Sequence, residues 1–249
     1  RNGAIGEVWT VRVGVGGPAI PCDLPTEAKP DDTDWDFWLG PAPERGYNEI
    51  LCPKGMHTHF PRWRDYREYA NGPLADIGAH HFDIAQWGLG MDDTGPVKWL
   101  PPTDPEATSG LRMIYENGVE MIHGGLGGTT FIGSKGIISV DRSRLDFIPG
   151  NLRETFEFPE NGTRLENTGG RNGISHMANW LACIESREKP ICHEEIGHRS
   201  ASICELANIA YERREDLVWD PKAERFTGGG TEAANGLLSR EMRGDWSLA

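Results

Sequence analysis

Valines at positions 8, 11, 13 and 15 form an apolar run of strand character near the start of the chain. Before it, Arg1–Gly6 reads as the tail of a helix closing at Asn2-Gly3. Residues 16–56 are rich in Pro, Gly and Asp and show no periodicity, so they predict a long loop, pinned by the aromatics of Trp35-Asp36-Phe37-Trp38. The clearest helix spans 73–88, with Pro73 suited to its first position and Gly88 and Gly90 to its end. Short apolar runs then predict strands at 111–116 and 119–123, joined by the hairpin dipeptide Asn117-Gly118. Further strands are expected at 129–132, 136–141, 144–148 and 154–158. Two more helices follow, one over 176–187 with Met177, Trp180, Leu181 and Ile184 on one face. The other covers 199–212, with Ile203, Leu206, Ala207 and Ala210. The last 30 residues, opening at Trp219-Asp220-Pro221, are polar and Gly-rich, and predict a tail that is disordered or laid over a neighbouring subunit.

This order predicts an α+β fold, an open and mainly antiparallel sheet with helices on one face. The other face needs a cover, and a second copy of the chain would supply one in an oligomer. At 249 residues the chain is long enough for one large domain, taken here as residues 1–249. Its formal net charge of −13 argues against nucleic acid and membrane surfaces as partners. Five cysteines without CxxC spacing argue against a disulfide framework or a structural zinc site. No apolar run reaches the ~18 residues of a membrane span. Gly124-Gly125-Leu126-Gly127-Gly128 lies between strands and opens no helix, so it is not a dinucleotide fingerprint.

The chemistry-bearing segment is 72–87. On one continuous helix, Asp76, His80, Asp83 and Trp87 fall within about 60° of one another, given ~100° per residue. A carboxylate one turn before an imidazole can fix its tautomer and raise its basicity, as a general base requires. Gly78 would let another backbone or a ligand approach. The alternative is that Asp76 caps the helix and His80 is a satisfied core histidine. His57, His59, His80 and His81 raise a metal site, but no H-x-x-x-H is present and none is expected. Arg62, Trp63 and Tyr66 could line a sugar site, with Trp63 stacking and Arg62 donating to hydroxyls, or could pin the long loop. Trp9 is expected in subunit packing.

Asp76-x-Gly78-x-His80-x-x-Asp83 resembles the D-x-G-x-H-x-x-D helix of the glucose–fructose oxidoreductase, inositol dehydrogenase and MocA (Gfo/Idh/MocA) family. Trp35-Asp36-Phe37-Trp38-Leu39-Gly40-Pro41-Ala42-Pro43, Arg62-Trp63-x-Asp65-Tyr66 and Gln86-Trp87-Gly88-Leu89-Gly90 are similar to elements of one bacterial branch. So are Phe131-Ile132-Gly133-x-x-Gly136, His198-Arg199-Ser200, Asn208-Ile209-Ala210, Trp219-Asp220-Pro221 and Ser239-Arg240-x-Met242-Arg243. The resemblance implies His80 as the proton-transferring residue, Asp76 as its partner, and Asp83 and His176 beside the substrate. It implies a sugar or polyol substrate, NAD or NADP in the intact enzyme, and a homodimer or homotetramer. It leaves the compartment open between a bacterial cytoplasm and periplasm. The family's glycine fingerprint and E-K-P segment are missing here, so this chain alone is expected to bind no dinucleotide. Two other outcomes stay open: a non-catalytic carbohydrate-binding or dimerisation module, and an NAD-dependent glycosidase or lyase acting through a keto-sugar.

Overall fold

The computed structural model describes residues 1–55, 60–164 and 175–247. Its centre is one nine-stranded sheet in the order β7-β6-β5-β1-β4-β3-β2-β8-β9. The strands are β1 (Val8–Gly14), β2 (Lys98–Leu100), β3 (Arg112–Ile114), β4 (Glu120–His123) and β5 (Gly128–Gly133). The rest are β6 (Gly136–Asp141), β7 (Arg144–Ile148), β8 (Leu217–Asp220) and β9 (Arg225–Thr227). Every pairing is antiparallel except that of β1 with β4. The fold is therefore α+β with an open, mainly antiparallel sheet.

Local chemistry accounts for the elements that position the rest. Gly118 takes φ +85° at the Asn117-Gly118 turn, and the Tyr115 N–H donates to the Val119 carbonyl at 2.9 Å. In β1 a register shift between Val8 and Thr10 leaves Trp9 at a bulge and turns Val11 and Val13 inward. One face of the sheet meets α3 (Gly78–Leu89) and α6 (Glu194–Arg213). Val11, Val13, Met113, Met121, Trp99, Leu217 and Phe226 from the strands pack there with Phe82, Ile203, Leu206 and Ala207 from the helices. Gly88 sits on the sheet so closely that a Cβ would lie 2.4 Å from the Phe131 ring. The strand register turns Ile122, Ile132, Ile137, Ile148 and Val218 to the opposite face, which no helix of the described residues covers.

Five sequence expectations are corrected. Residues 1–6 form a turn, closed by the Gly6 N–H on the Gly3 carbonyl at 3.0 Å, and not a helix end. The helix expected over 73–88 is two pieces, α2 (Gly72–Asp76) and α3, joined at Ile77. Residues 154–158 are not a strand: α4 (Leu152–Thr155) ends there, with the Thr155 hydroxyl donating to the Asn151 carbonyl at 3.0 Å. Helix α5 (His176–Ser186) does not close the domain, for it buries none of its residues and leaves Met177, Trp180, Leu181 and Ile184 exposed.

The C-terminal region is not a disordered tail either. It carries β8, β9 and α7 (Glu232–Gly236), then lies on the chain's own long loop. That loop holds α1 (Trp35–Leu39), capped by the Asp34 carboxylate, with Trp35 and Trp38 stacked 4.6 Å apart. Arg243 clamps it, with Nη1 on Asp36 Oδ1 at 2.6 Å and its other donors on the carbonyls of Asp36, Gly40 and Ala42.

Beneath the helices, His123 is fully buried. Its Nδ1 meets the Tyr211 hydroxyl at 2.6 Å and its Nε2 donates to the Gly16 carbonyl at 3.0 Å. Burial holds its pKa below the ordinary histidine value. The folded state thus prefers neutral His123, so its contribution is present above the unfolded value of about 6.5 and is lost as pH falls below it. Thermal melts followed by circular dichroism should show a falling midpoint between pH 7 and pH 5. That fall should shrink in His123→Gln; an equal fall in both proteins would remove His123 as its source.

Candidate functional site

The site is built where the loop, α2, α3 and α6 converge. Gly72 opens α2 at φ +70°, a conformation that suits glycine, and a Cβ there would lie 2.5 Å from the Ala19 backbone nitrogen. Asn208 of α6 fixes this junction. Its Oδ1 accepts from the Ala19 N–H at 2.9 Å, and its Nδ2 donates to the carbonyls of Asn71 at 2.9 Å and Cys204 at 3.1 Å. One side chain thereby satisfies three backbone groups of the loop, the α2 entry and α6.

The α2–α3 joint keeps the chain close to helical. Ile77 has φ −94° and ψ −27°, its N–H reaches Pro73 O at 3.3 Å, and the His80 N–H reaches Ile77 O at 3.2 Å. Asp76 and His80 are both exposed on this edge. Asp76 ends α2 and does not cap it, and His80 is not a core histidine. The buried histidine is its neighbour His81, whose Nδ1 lies 3.3 Å from the Thr129 hydroxyl. Burial lowers the pKa of His81, against the pull of Asp141.

Asp76 meets a partner that the sequence did not suggest. Its Oδ1 accepts from Arg64 Nε at 3.3 Å. The Arg64 guanidinium lies over two rings, 4.9 Å from the centroid of Phe60 and 4.7 Å from that of Trp63. Trp63 therefore stacks on a protein cation in this structure. Arg62, the arginine singled out from the sequence, is exposed and pairs with Asp65 at 2.9 Å within the 3₁₀ turn Arg62–Asp65. Tyr66 is buried, beside the bridge of residue 66 to Ile20 that ties the loop to this turn.

Asp83 faces α6 and accepts from the Ser200 hydroxyl at 2.8 Å. Burial raises its pKa, and the Ser200 donor opposes that rise. A Cβ at Gly78 would crowd the Phe82 ring of the same helix at 3.0 Å and make an ordinary 3.7 Å contact with Cys204 Sγ of α6. His176 is the first residue of α5, exposed, after the capping Ser175. Its helix shares no extended packing with α3, so the structure does not gather His176 with His80. His57 and His59 lie outside the described residues.

The Gly124–Gly128 turn connects β4 to β5 and opens no helix. Among the described residues no group of three or more His, Cys, Asp or Glu is placed to hold a metal, and no helix is long and apolar enough to cross a membrane. A cavity of about 10 Å³ lies between α6 and β8, lined by Ile203, Leu206 and Trp219, and it does not border His80.

Comparison with known proteins adds the following. The family model described as "Oxidoreductase family, C-terminal alpha/beta domain" matches residues 20–248. No curated protein matches. Among solved structures, a putative oxidoreductase from Thermotoga maritima is similar at 14% identity and a TM-score of 0.47, over 87% of this chain and 56% of its own. The UDP-N-acetylglucosamine 3-dehydrogenase GnnA from Acidithiobacillus ferrooxidans gives 12% and 0.39, over 84% and 55%. The putative oxidoreductase YvaA from Bacillus subtilis gives 14% and 0.43, over 88% and 60%. The chain spans a little over half the length of these proteins.

Removing the Asn208 amide leaves the Ala19 N–H and the Asn71 carbonyl without their partner, at a cost of about 1–3 kcal/mol. Asn208→Leu should lower the urea midpoint accordingly with an unchanged m-value. A midpoint equal to wild type would show that this junction is not held by the amide.

Proposed function

From the premise that the chain belongs to the Gfo/Idh/MocA oxidoreductase family, as its C-terminal alpha/beta domain, we propose that it is the substrate-binding half of an NAD(P)-dependent sugar or polyol oxidoreductase. His80 is the proton-transfer residue of that enzyme. The observation that carries this reading is the placement of His80. Its imidazole is exposed, at the junction of α2 and α3, with Asp76 and Asp83 one turn to either side and no side-chain hydrogen bond among the described residues. An accessible imidazole is free to accept the proton of a bound hydroxyl.

In this reading a nicotinamide held elsewhere in the intact enzyme supplies the hydride acceptor. The chain's own residues bind and orient. Trp63 and Arg62 border the same edge of the fold, and Asp83, fixed by Ser200, sets the charge behind His80. His176 joins the site only if α5 is brought to it in the assembled enzyme.

The same reading puts a second subunit against the outer face of the sheet, as homodimer or homotetramer. Trp9, Ile148 and Val218 are exposed there, on a face that no helix of the described residues covers. Sedimentation analysis should find an oligomer, and Trp9→Lys should shift it toward monomer while leaving the circular dichroism spectrum unchanged. A wild-type chain that sediments as a monomer at tens of micromolar would reject this assembly.

In the intact enzyme, His80→Ala should lower kcat for NAD(P)-linked sugar oxidation by roughly 10²–10⁴-fold and remove the acidic limb of the pH–rate profile. A variant with the wild-type profile would exclude His80 as the base.

A further inference from the structure

Arg64 is more tightly constrained than the carboxylate it touches. Two aromatic rings flank its guanidinium, at 4.9 and 4.7 Å, and these contacts do not depend on Asp76. Among the described residues Asp76 has one side-chain hydrogen bond, the Nε···Oδ1 contact at 3.3 Å, and its side chain is 46% exposed. Such a contact is long and half-solvated, and an exposed pair of this kind is worth about 0–1 kcal/mol. The carboxylate is therefore the mobile partner.

A second partner lies within its reach. Because Ile77 keeps near-helical angles, Asp76 and His80 stand at i and i+4 on adjoining turns, where side chains meet with Cβ atoms about 5–6 Å apart. A change of side-chain rotamer at Asp76 exchanges Arg64 for His80. The two contacts compete, since the carboxylate sits at the end of a short side chain that turns one way or the other.

We propose that Arg64 is a positioning residue of this site: it holds the Asp76 carboxylate away from His80, and release of that contact delivers the carboxylate to the imidazole. The proposal rests on the reading of His80 as the proton-transfer residue. Among the described residues, the other charged groups that interact with His80 are His81 and Asp83 on its own helix. From α6, Ser200 holds Asp83, and Glu205 is engaged by the Asn71 amide at 2.5 Å. Among these groups and Arg64, only Asp76 has both a weak present contact and a helical position facing His80.

The test is proton NMR titration of the His80 ring in the chain itself, which needs no turnover and so stands or falls separately from the enzymatic reading. Arg64→Met should raise the His80 midpoint by roughly half a pH unit, the size of an exposed ion pair. In an Asp76→Asn background the same change should move it by less than a third of that. A rise of equal size in both backgrounds would mean that Arg64 acts only as a nearby charge, and would overturn the proposal, as would no rise at all. Arg64→Gln is measured in parallel, and chemical-shift dispersion confirms the fold of each variant. Independently, loss of the His80→Ala effect on catalysis would remove the base and leave the carboxylate exchange intact.

Discussion

Helix α3 meets the sheet at close range, and the residue it offers there is a glycine: a Cβ at Gly88 would lie 2.4 Å from the Phe131 ring. Backbone-level approach of this kind leaves little freedom to slide or rotate, because packed interiors tolerate even a methylene poorly. The helix is thereby fixed in azimuth. Phe82, Ala85 and Gln86 go inward, and His80 comes out at the exposed edge. Gln86 adds a polar lock, donating to the carbonyls of Met91 at 2.9 Å and Thr94 at 2.8 Å and accepting from the Tyr115 hydroxyl at 2.5 Å. The position of the imidazole is thus a consequence of packing at the far side of the same helix.

Polar side chains do at the α2 entry what Gly88 does at the end of α3. Asn208 ties the loop and the α2 entry to its own helix, and Ser200 supplies the one donor that Asp83 has among the described residues. Both sit on α6, whose apolar stripe is anchored in the core. α6 therefore serves as the fixed reference for the site, while the 3₁₀ turn contributes Arg64 from the loop side. Rigid helix and adjustable loop meet at Asp76.

Much of this was readable in the chain before its coordinates. The Asn117-Gly118 hairpin, the strands at β5 and β6 and the helical spacing of α6 each follow from local chemistry, and each forms as expected. The D-x-G-x-H-x-x-D segment falls on the joint of α2 and α3. The break at Ile77 was not legible, because Pro73 through Leu89 lacks any residue that forbids a helix; the two pieces are distinguished by what they pack on. β2, β8 and β9 were also missed. They are three or four residues long, too short for a period to emerge, and they exist because a neighbouring strand supplies their hydrogen bonds. Arg62 was chosen over Arg64 because sequence gives spacing but not which guanidinium two rings will trap. The clamp at Arg243 was unreadable for a similar reason, since its acceptors lie about two hundred positions earlier.

The neighbours of β1 carry a consequence for how the molecule is made. This strand lies in the interior of the sheet, yet it pairs only with β4 and β5, more than a hundred residues further along. On a ribosome it emerges long before either partner, with Val11 and Val13 as apolar residues that have nothing to lie on. Closing so large a loop is slow compared with forming a local hairpin. The β3–β4 hairpin and the β5–β6 pair can each form alone as soon as they appear, and β1 must then be captured between them. Until synthesis has passed β5, β1 would therefore present an open template, the interval in which a holding chaperone has most to protect.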